Sequence, residues 1–287
     1  MHDEILSSHE HNSQGLHNEF RKRLRPGFKV LDWGCGRGSD VLHLRRMGID
    51  AYGAEISPQT IERGKPLFDE LGIDHGATIK LISPQNRTDF PDESFDLITS
   101  YQVLEHVADL PAAAAEIARL LRPGGTSVHL YPAHRHIVEV HLHMPFVHWF
   151  PKNSLRYYAI KACTYFGVEP RGGWSSVAHA GVSDRARKYF DFSVGDTYYR
   201  PPAAVARAFR DAGLTPRFES HLHDRVRGSA LARIPAPLLN RLLCTFAGCV
   251  FVASREATRK LVSVRGIGAA VGSQCRLDML DRNDGPE

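Results

Sequence analysis

An α/β fold, with a doubly wound and mostly parallel sheet broken by one mixed α/aromatic insertion after the fifth strand, is what this sequence predicts. Three observations carry it. Short apolar runs alternate with stretches of helical spacing from Phe28 to Tyr131. The first of those runs opens into three alternate glycines ahead of a helix. The alternation stops after Tyr131 and resumes at Pro201. At 287 residues the chain fits one large domain carrying an insertion, and a composition of 43% hydrophobic and 24% charged residues supplies a core while excluding a wholly disordered or collagen-like chain.

Taken in order, Phe28 to Leu31 reads as a strand, and Val41 to Met47 as a helix with Val41, Leu44 and Met47 on one side. Ala51 to Ile56 is a second strand. Ser57-Pro58 then offers a serine cap and a proline at the first helical position, so a helix runs over Gln59 to Leu71. Thr78 to Ile82 and Phe95 to Tyr101 make the third and fourth strands. The alanine-rich helix Pro111 to Leu121 stops at Arg122-Pro123-Gly124-Gly125, and a fifth strand spans Thr126 to Tyr131. Strands that alternate with helices in this way imply a parallel sheet covered on both faces. Residues Pro132 to Arg200 show a helical stretch near Leu155 to Tyr165 and no clean strand, and read as the insertion. The fold resumes with a helix at Pro201 to Ala212, a strand within Thr215 to Val226, a helix turn from Leu238 and a last strand at Cys249 to Ala253. The expected organisation is an N-terminal helical, partly disordered segment (1–27), the first half of the sheet (28–131), the insertion (132–200), completion of the sheet (201–262) and a disordered tail (263–287).

Thirty-six Lys and Arg against 32 Asp and Glu leave a net charge of +4, too little for the electrostatic footprint of a dedicated nucleic-acid binder. Five scattered cysteines without a C-x-x-C pair argue against both a disulfide framework and a zinc site. The start, MHDEILSSHEHNSQGLHNEF, is polar and acidic where an export signal needs a basic start and an apolar run. No membrane span is expected, because the most apolar late stretch, Leu238 to Ala253, is short and carries Asn240 and Arg241. A cytoplasmic location follows as the expectation.

Val30-Leu31-Asp32-Trp33-Gly34-Cys35-Gly36-Arg37-Gly38-Ser39-Asp40 sets its glycines between a strand and a helix N-terminus, where backbone can approach a nucleotide-like ligand. A tight turn without a ligand would use the same residues. Ser39 stands where the dinucleotide fingerprint needs its third glycine, and no Gly-Lys-Ser/Thr follows to make a phosphate loop. Asp32 would repel a pyrophosphate and welcome a cationic amine.

With these residues the chain resembles the class I S-adenosylmethionine-dependent methyltransferases. Their D-x-G-x-G-x-G motif is met by Asp32, Gly34, Gly36 and Gly38, and the segments Phe90 to Ile98, Val103-Leu104-Glu105-His106-Val107 and Leu121 to Gly125 match in order. The resemblance implies a Rossmann-like fold and S-adenosyl-L-methionine as the cofactor. It also implies that Glu55, ending the second strand, accepts the ribose hydroxyls, that Ile56 packs on the adenine and that Gln102, after the fourth strand, joins the cofactor site. The family's adenine-binding Asp has no counterpart here. Pro84 occupies its place, and the side-chain amide of Gln85 or Asn86 can accept the same hydrogen bond.

Six of the sixteen histidines lie between His129 and His148, where the insertion leaves the C-terminal edge of the sheet and should cover a substrate. Three readings stay open. The histidines are structural; or one of His143, His141 and His148 is a general base; or Glu139, His141 and His143, on one face of a strand, join His148 around a metal. No metal is assigned. Nine of the thirteen aromatic residues in the same insertion, Tyr157 and Trp174 among them, form its own small core or an apolar pocket. The expected function is methyl transfer to a small molecule, at oxygen first. A protein or RNA substrate and a non-catalytic binding module are the alternatives.

Overall fold

The structure, a computed structural model, describes residues 19–170, 174–219 and 233–257. A seven-stranded sheet runs in the order β3-β2-β1-β4-β5-β7-β6. The first half is β1 (Lys29–Trp33), α1 (Ser39–Arg46), β2 (Asp50–Glu55), α2 (Pro58–Asp69), the single turn α3 (His75–Thr78), β3 (Ile79–Leu81), β4 (Phe95–Tyr101), α4 (Leu110–Leu120) and β5 (Leu121–Pro132). The insertion holds α5 (Ser154–Tyr165) and α6 (Val182–Gly195). The chain returns through α7 (Pro202–Asp211), β6 (Thr215–Glu219), α8 (Ala236–Phe246) and β7 (Gly248–Ser254). Strands β1 to β5 pair in parallel, and β7 runs antiparallel to both β5 and β6.

Both faces of the sheet are buried because successive side chains along a strand point to opposite sides. Leu31 and Ile98 pack with Ile117 of α4 and Phe209 of α7, while Val30 and Leu97 pack with Val41 of α1 and Phe68 of α2. Each such side chain contributes about 1.5–3 kcal/mol on burial. The run from Cys249 to Ala253 is buried throughout, as expected of a strand covered on both faces. Ser57 caps α2 by accepting the Thr60 N–H at 3.2 Å, with Pro58 at the first position.

Three predictions need correcting. Helix α6 was not anticipated, and α8 was expected only as a turn. Strand β5 begins at Leu121, so the anticipated turn at Arg122 to Gly125 lies inside it. Its pairing with β4 slips there: Phe95 faces Leu121 and Leu97 faces Thr126. The strand that the metal reading of Glu139, His141 and His143 would require is not formed: the segment is a turn in which the His143 N–H donates to the Glu139 carbonyl at 2.8 Å. The anticipated tail at 263–287 lies outside the described residues, as does most of the 1–27 segment. Among the described residues no helix is long and apolar enough to cross a membrane.

Candidate functional site

Strand order reverses between β1 and β4, and in open α/β sheets the ligand crevice lies beyond the C-terminal strand ends at such a point. A cleft of about 420 Å³ sits there, bounded by Gly34, Glu55, Ile56, Asn86, Gln102 and His106 among others. The glycine loop forms one wall. Gly34, Gly36 and Gly38 all have positive φ, at 80°, 56° and 82°. They differ in what a side chain would meet. A Cβ on Gly34 would stand 2.5 Å from Val103 Cγ2, and one on Gly38 would stand 2.8 Å from the Phe68 ring. A Cβ on Gly36 would meet nothing within 4 Å. Two of the glycines therefore serve close packing, and Gly36 alone of the three presents bare backbone to open space.

Glu55 ties the loop to β2. Its Oε2 accepts the Gly36 N–H at 3.0 Å, and its Oε1 accepts the N–H groups of Ile56 and Ser57, each at 2.9 Å. Oε1 thus has both lone pairs engaged and Oε2 keeps one, so a single further donor can be accepted without rearrangement. Asp32 is buried, and its carboxyl is held well above the usual range by that burial and by the charges of Asp40 and Glu55. A cation beside Asp32 would favour its ionised form. Ile56 is exposed to 60% on the cleft wall, where an apolar side chain has no partner of its own. Asn86 and Gln102 both line the cleft in left-handed backbone, at φ 57° and 55°, whereas Gln85 is exposed and is not among the lining residues. The loop bearing Asn86 is pinned by buried Glu116 of α4, which accepts from the Thr88 N–H at 2.8 Å and from Arg119. Burial alone would raise the Glu116 pKa, but the Arg119 and Thr88 hydrogen bonds outweigh it and lower it.

Beyond the fourth strand the cleft is lined by Gln102, Val103, His106 and Val107, and His106 connects it to a polar cluster from two distant segments. Glu105 and His106 follow β4, and His141 reaches over from the insertion. The two imidazoles meet Nε2 to Nε2 at 3.1 Å. Behind them, His106 Nδ1 lies 2.6 Å from the Asp196 carbonyl oxygen, and His141 Nδ1 lies 2.9 Å from Glu139 Oε1 and 3.1 Å from the Tyr199 hydroxyl. Tyr199 donates to Glu139 Oε1 at 2.5 Å, and the backbone N–H groups of His141 and Leu142 donate to Glu139 Oε2. Burial opposes charge on His141, but the bond to Glu139 outweighs it and raises the pKa, while burial lowers that of His106. Glu105 is 2% exposed, neither carboxylate oxygen has a hydrogen-bond partner, and burial pushes its pKa up to about 7.

Of the three histidines singled out from sequence, His141 alone reaches this cluster, through His106, which lines the cleft where His141 does not. His143 is exposed, with φ 55°, and is not among the lining residues. His148 is buried against the Tyr199 ring, where burial lowers its pKa to about 4, and it lies in a separate pocket with Lys152 and Arg156. Sequence reasoning quoted Glu105 and His106 only as part of a motif. Their position directly after the fourth strand was the signal that could have marked them.

Residues 9–216 match the family model described as a methyltransferase domain. The chain is 35% identical over 101 residues to ubiquinone biosynthesis O-methyltransferase of Mesorhizobium japonicum, which is 34% of this chain and 39% of that protein. It is 31% identical over 123 residues to sterol 24-C-methyltransferase of Yarrowia lipolytica, which is 42% of this chain and 31% of that protein. The chain thus spans well under half the length of these curated relatives. An S-adenosylmethionine-dependent methyltransferase of Mesorhizobium loti shares the fold, with a TM-score of 0.51 at 18% identity over 85% of this chain and 99% of that one.

Proposed function

We infer the function from one premise: the chain belongs to the family of class I S-adenosylmethionine-dependent methyltransferases, whose domain its residues 9–216 match. The family's cofactor is S-adenosyl-L-methionine. We propose that this chain transfers the cofactor's methyl group to a small-molecule acceptor, at an oxygen atom. Its residues suit that cofactor on physical grounds. Asp32, whose ionised form a cation would favour, suits the ammonium group, the free lone pair of Glu55 Oε2 suits a ribose hydroxyl, and the open side of Gly36 admits the ligand against bare backbone. Exposed Ile56 offers an apolar surface to the adenine, with the Asn86 amide oxygen as the acceptor for its amino group.

When bound, the cofactor supplies a methyl group on a sulfonium that is already a good leaving group. What remains for the protein is to align the acceptor and take its proton, and alignment of bound reactants supplies up to about 7–11 kcal/mol of barrier lowering. The acceptor's proton goes to the polar cluster, with His106 facing the cleft and His141 behind it, held by Glu139. This role favours oxygen, because a hydroxyl must lose a proton as the methyl arrives. The insertion supplies His141 as the group that backs His106. The observation that supports the reading is the cleft itself, lined by Gly34 and Glu55 together with Gln102 and His106.

Transfer of labelled methyl from S-adenosylmethionine to a cell extract separated into small and large molecules tests this reading. Label in the small fraction, made alkali-stable as an ether and abolished by Glu55→Ala, is expected. Label confined to protein or RNA would reassign the substrate, and no label in any fraction would point to a binding module.

A further inference from the structure

The meeting of His106 and His141 poses a problem of proton placement. Each imidazole has its Nδ1 against an acceptor: the Asp196 carbonyl at 2.6 Å for His106, the Glu139 carboxylate at 2.9 Å for His141. An acceptor at Nδ1 calls for Nδ1–H, and a neutral ring with its hydrogen there carries a lone pair on Nε2. Two neutral rings so arranged aim lone pairs at each other across 3.1 Å. Placing the hydrogen on either Nε2 instead leaves an Nδ1 lone pair facing an acceptor oxygen. Either a second proton on His141 or a cation between the two Nε2 atoms resolves the conflict.

Glu105 adds a second and independent observation. Its side chain is 2% exposed with both oxygens unpartnered, a costly state for a carboxylate unless a cation meets it. One ligand atom from each of Glu105, His106 and His141 lies within 4.8 Å of the other two. Donors about 2.0–2.2 Å from a zinc-sized ion stand roughly 3–4 Å apart, so the three converge on such an ion with only a small inward shift. The acceptors behind the rings are those that orient metal-bound histidines, a carboxylate for one and a backbone carbonyl for the other.

We propose that Glu105, His106 and His141 bind a divalent transition-metal cation beside the cleft, which His106 alone of the three lines. Two imidazoles and one carboxylate suit zinc, manganese, iron(II) or cobalt better than magnesium or calcium, whose preference is for oxygen alone. Three protein ligands leave positions open, and His106 directs them toward the cleft, where a hydroxyl or phenol oxygen of the acceptor fits. On binding, the proton between the rings passes to solvent. The cation rests on the same reading of the cleft and takes over the proton-handling role proposed for the two histidines: with both Nε2 atoms on the metal neither ring accepts a proton, and a metal-held hydroxyl, more acidic than a free one, releases its proton to solvent. Binding itself is read on the protein without substrate or cofactor.

The test titrates the full chain, stripped by a chelator, with Co²⁺ followed by visible absorption. The expected result is one equivalent bound with the bands of nitrogen and oxygen ligation, at least ten-fold weaker binding in His106→Ala and in His141→Ala, and unchanged binding in His179→Ala, an exposed histidine elsewhere. Glu139→Gln, with the ligands intact, is expected to weaken binding by about ten-fold. Circular dichroism establishes that each variant is folded. No spectral change in the parent chain, or undiminished binding in the folded His106→Ala/His141→Ala double variant, overturns the site. Methyl transfer that persists without Co²⁺ binding overturns the cation alone, whereas tight Co²⁺ binding with no transfer to any fraction overturns the functional reading and leaves the cation standing.

Discussion

The two walls of the cleft are built by different means. On the cofactor side, backbone does the positioning: residues 34–38 form a left-handed glycine loop, buttressed by glycines on neighbouring elements. A Cβ on Gly64 of α2 would stand 2.3 Å from the Arg37 carbonyl oxygen, and one on Gly53 of β2 would stand 2.5 Å from Cys35 Sγ. On the opposite side, side chains do it. His106 reaches His141 across 35 positions and the Asp196 carbonyl across 90, and Tyr199 reaches Glu139 across 60. A wall made of backbone tolerates few substitutions and serves one ligand. A wall made of side chains on an insertion can be rebuilt without disturbing the sheet, which is how one fold accommodates many acceptors.

The contrast can be broken where it is sharpest. Gly64→Ala should be the most damaging small change on the cofactor side. Alanine in a helix interior ordinarily gains about 1 kcal/mol over glycine, but overpacking against an unyielding carbonyl costs roughly 3 kcal/mol. A net loss of about 2 kcal/mol in chemical denaturation is expected; a gain in stability would show that the loop is not clamped by α2. Tyr199→Phe probes the other wall, because it removes the hydroxyl that Glu139 Oε1 and His141 Nδ1 share. Turnover should fall about ten-fold, equivalent to about 1.4 kcal/mol, with cofactor affinity unchanged. If cofactor affinity fell instead, the walls would not be independent. Gly36→Ala, with open space beyond its Cβ, should cost only the backbone strain of a left-handed alanine, about 1 kcal/mol, while weakening cofactor binding. A stability loss as large as that of Gly64→Ala would contradict the distinction between packing and open glycines.

The smallest effect concerns β5, whose C-terminal end leads into the insertion. His129 is fully buried, bonded to Ser100 Oγ at 2.7 Å, and burial lowers its pKa to about 3. The unfolded chain takes up that proton near pH 6.5, before the folded one does. Stability from this group is therefore present above pH 6.5 and lost as pH falls toward 3. Between pH 7 and pH 6 it should account for about 0.7 kcal/mol. His129→Phe, placed between Phe209 and Phe251, should flatten the stability profile by that amount. An identical slope in parent and variant would assign the dependence to other groups.

How far the sequence could be read follows the same division. Strand β4 has the bounds predicted for it, and α2 starts at the anticipated Ser57 cap, because apolar runs and capping residues act locally. Helix α6 escaped notice because Gly181 gives it no side-chain cap and its buried positions, Ala186, Tyr189 and Ser193, make no strong apolar stripe. Asp32, Gly34, Gly36, Gly38 and Glu55 are all local to two strand ends, so they were legible as a group. The histidine wall was not. His143 and His141 look equivalent in sequence, and only the turn closed between Glu139 and His143 sends one of them inward and the other to solvent. Glu105 gave no sign in sequence of its burial, which depends on how the 196–200 segment returns over the strand end, with the Tyr198 N–H on the Glu105 carbonyl at 2.6 Å.

Calorimetric titration with S-adenosylhomocysteine of the parent chain, Glu55→Ala and His106→Ala tests the two-wall account most directly. The parent should bind one equivalent, Glu55→Ala at least ten-fold more weakly, and His106→Ala as tightly as the parent. Absence of binding in the parent, or the same loss in both variants, would contradict it.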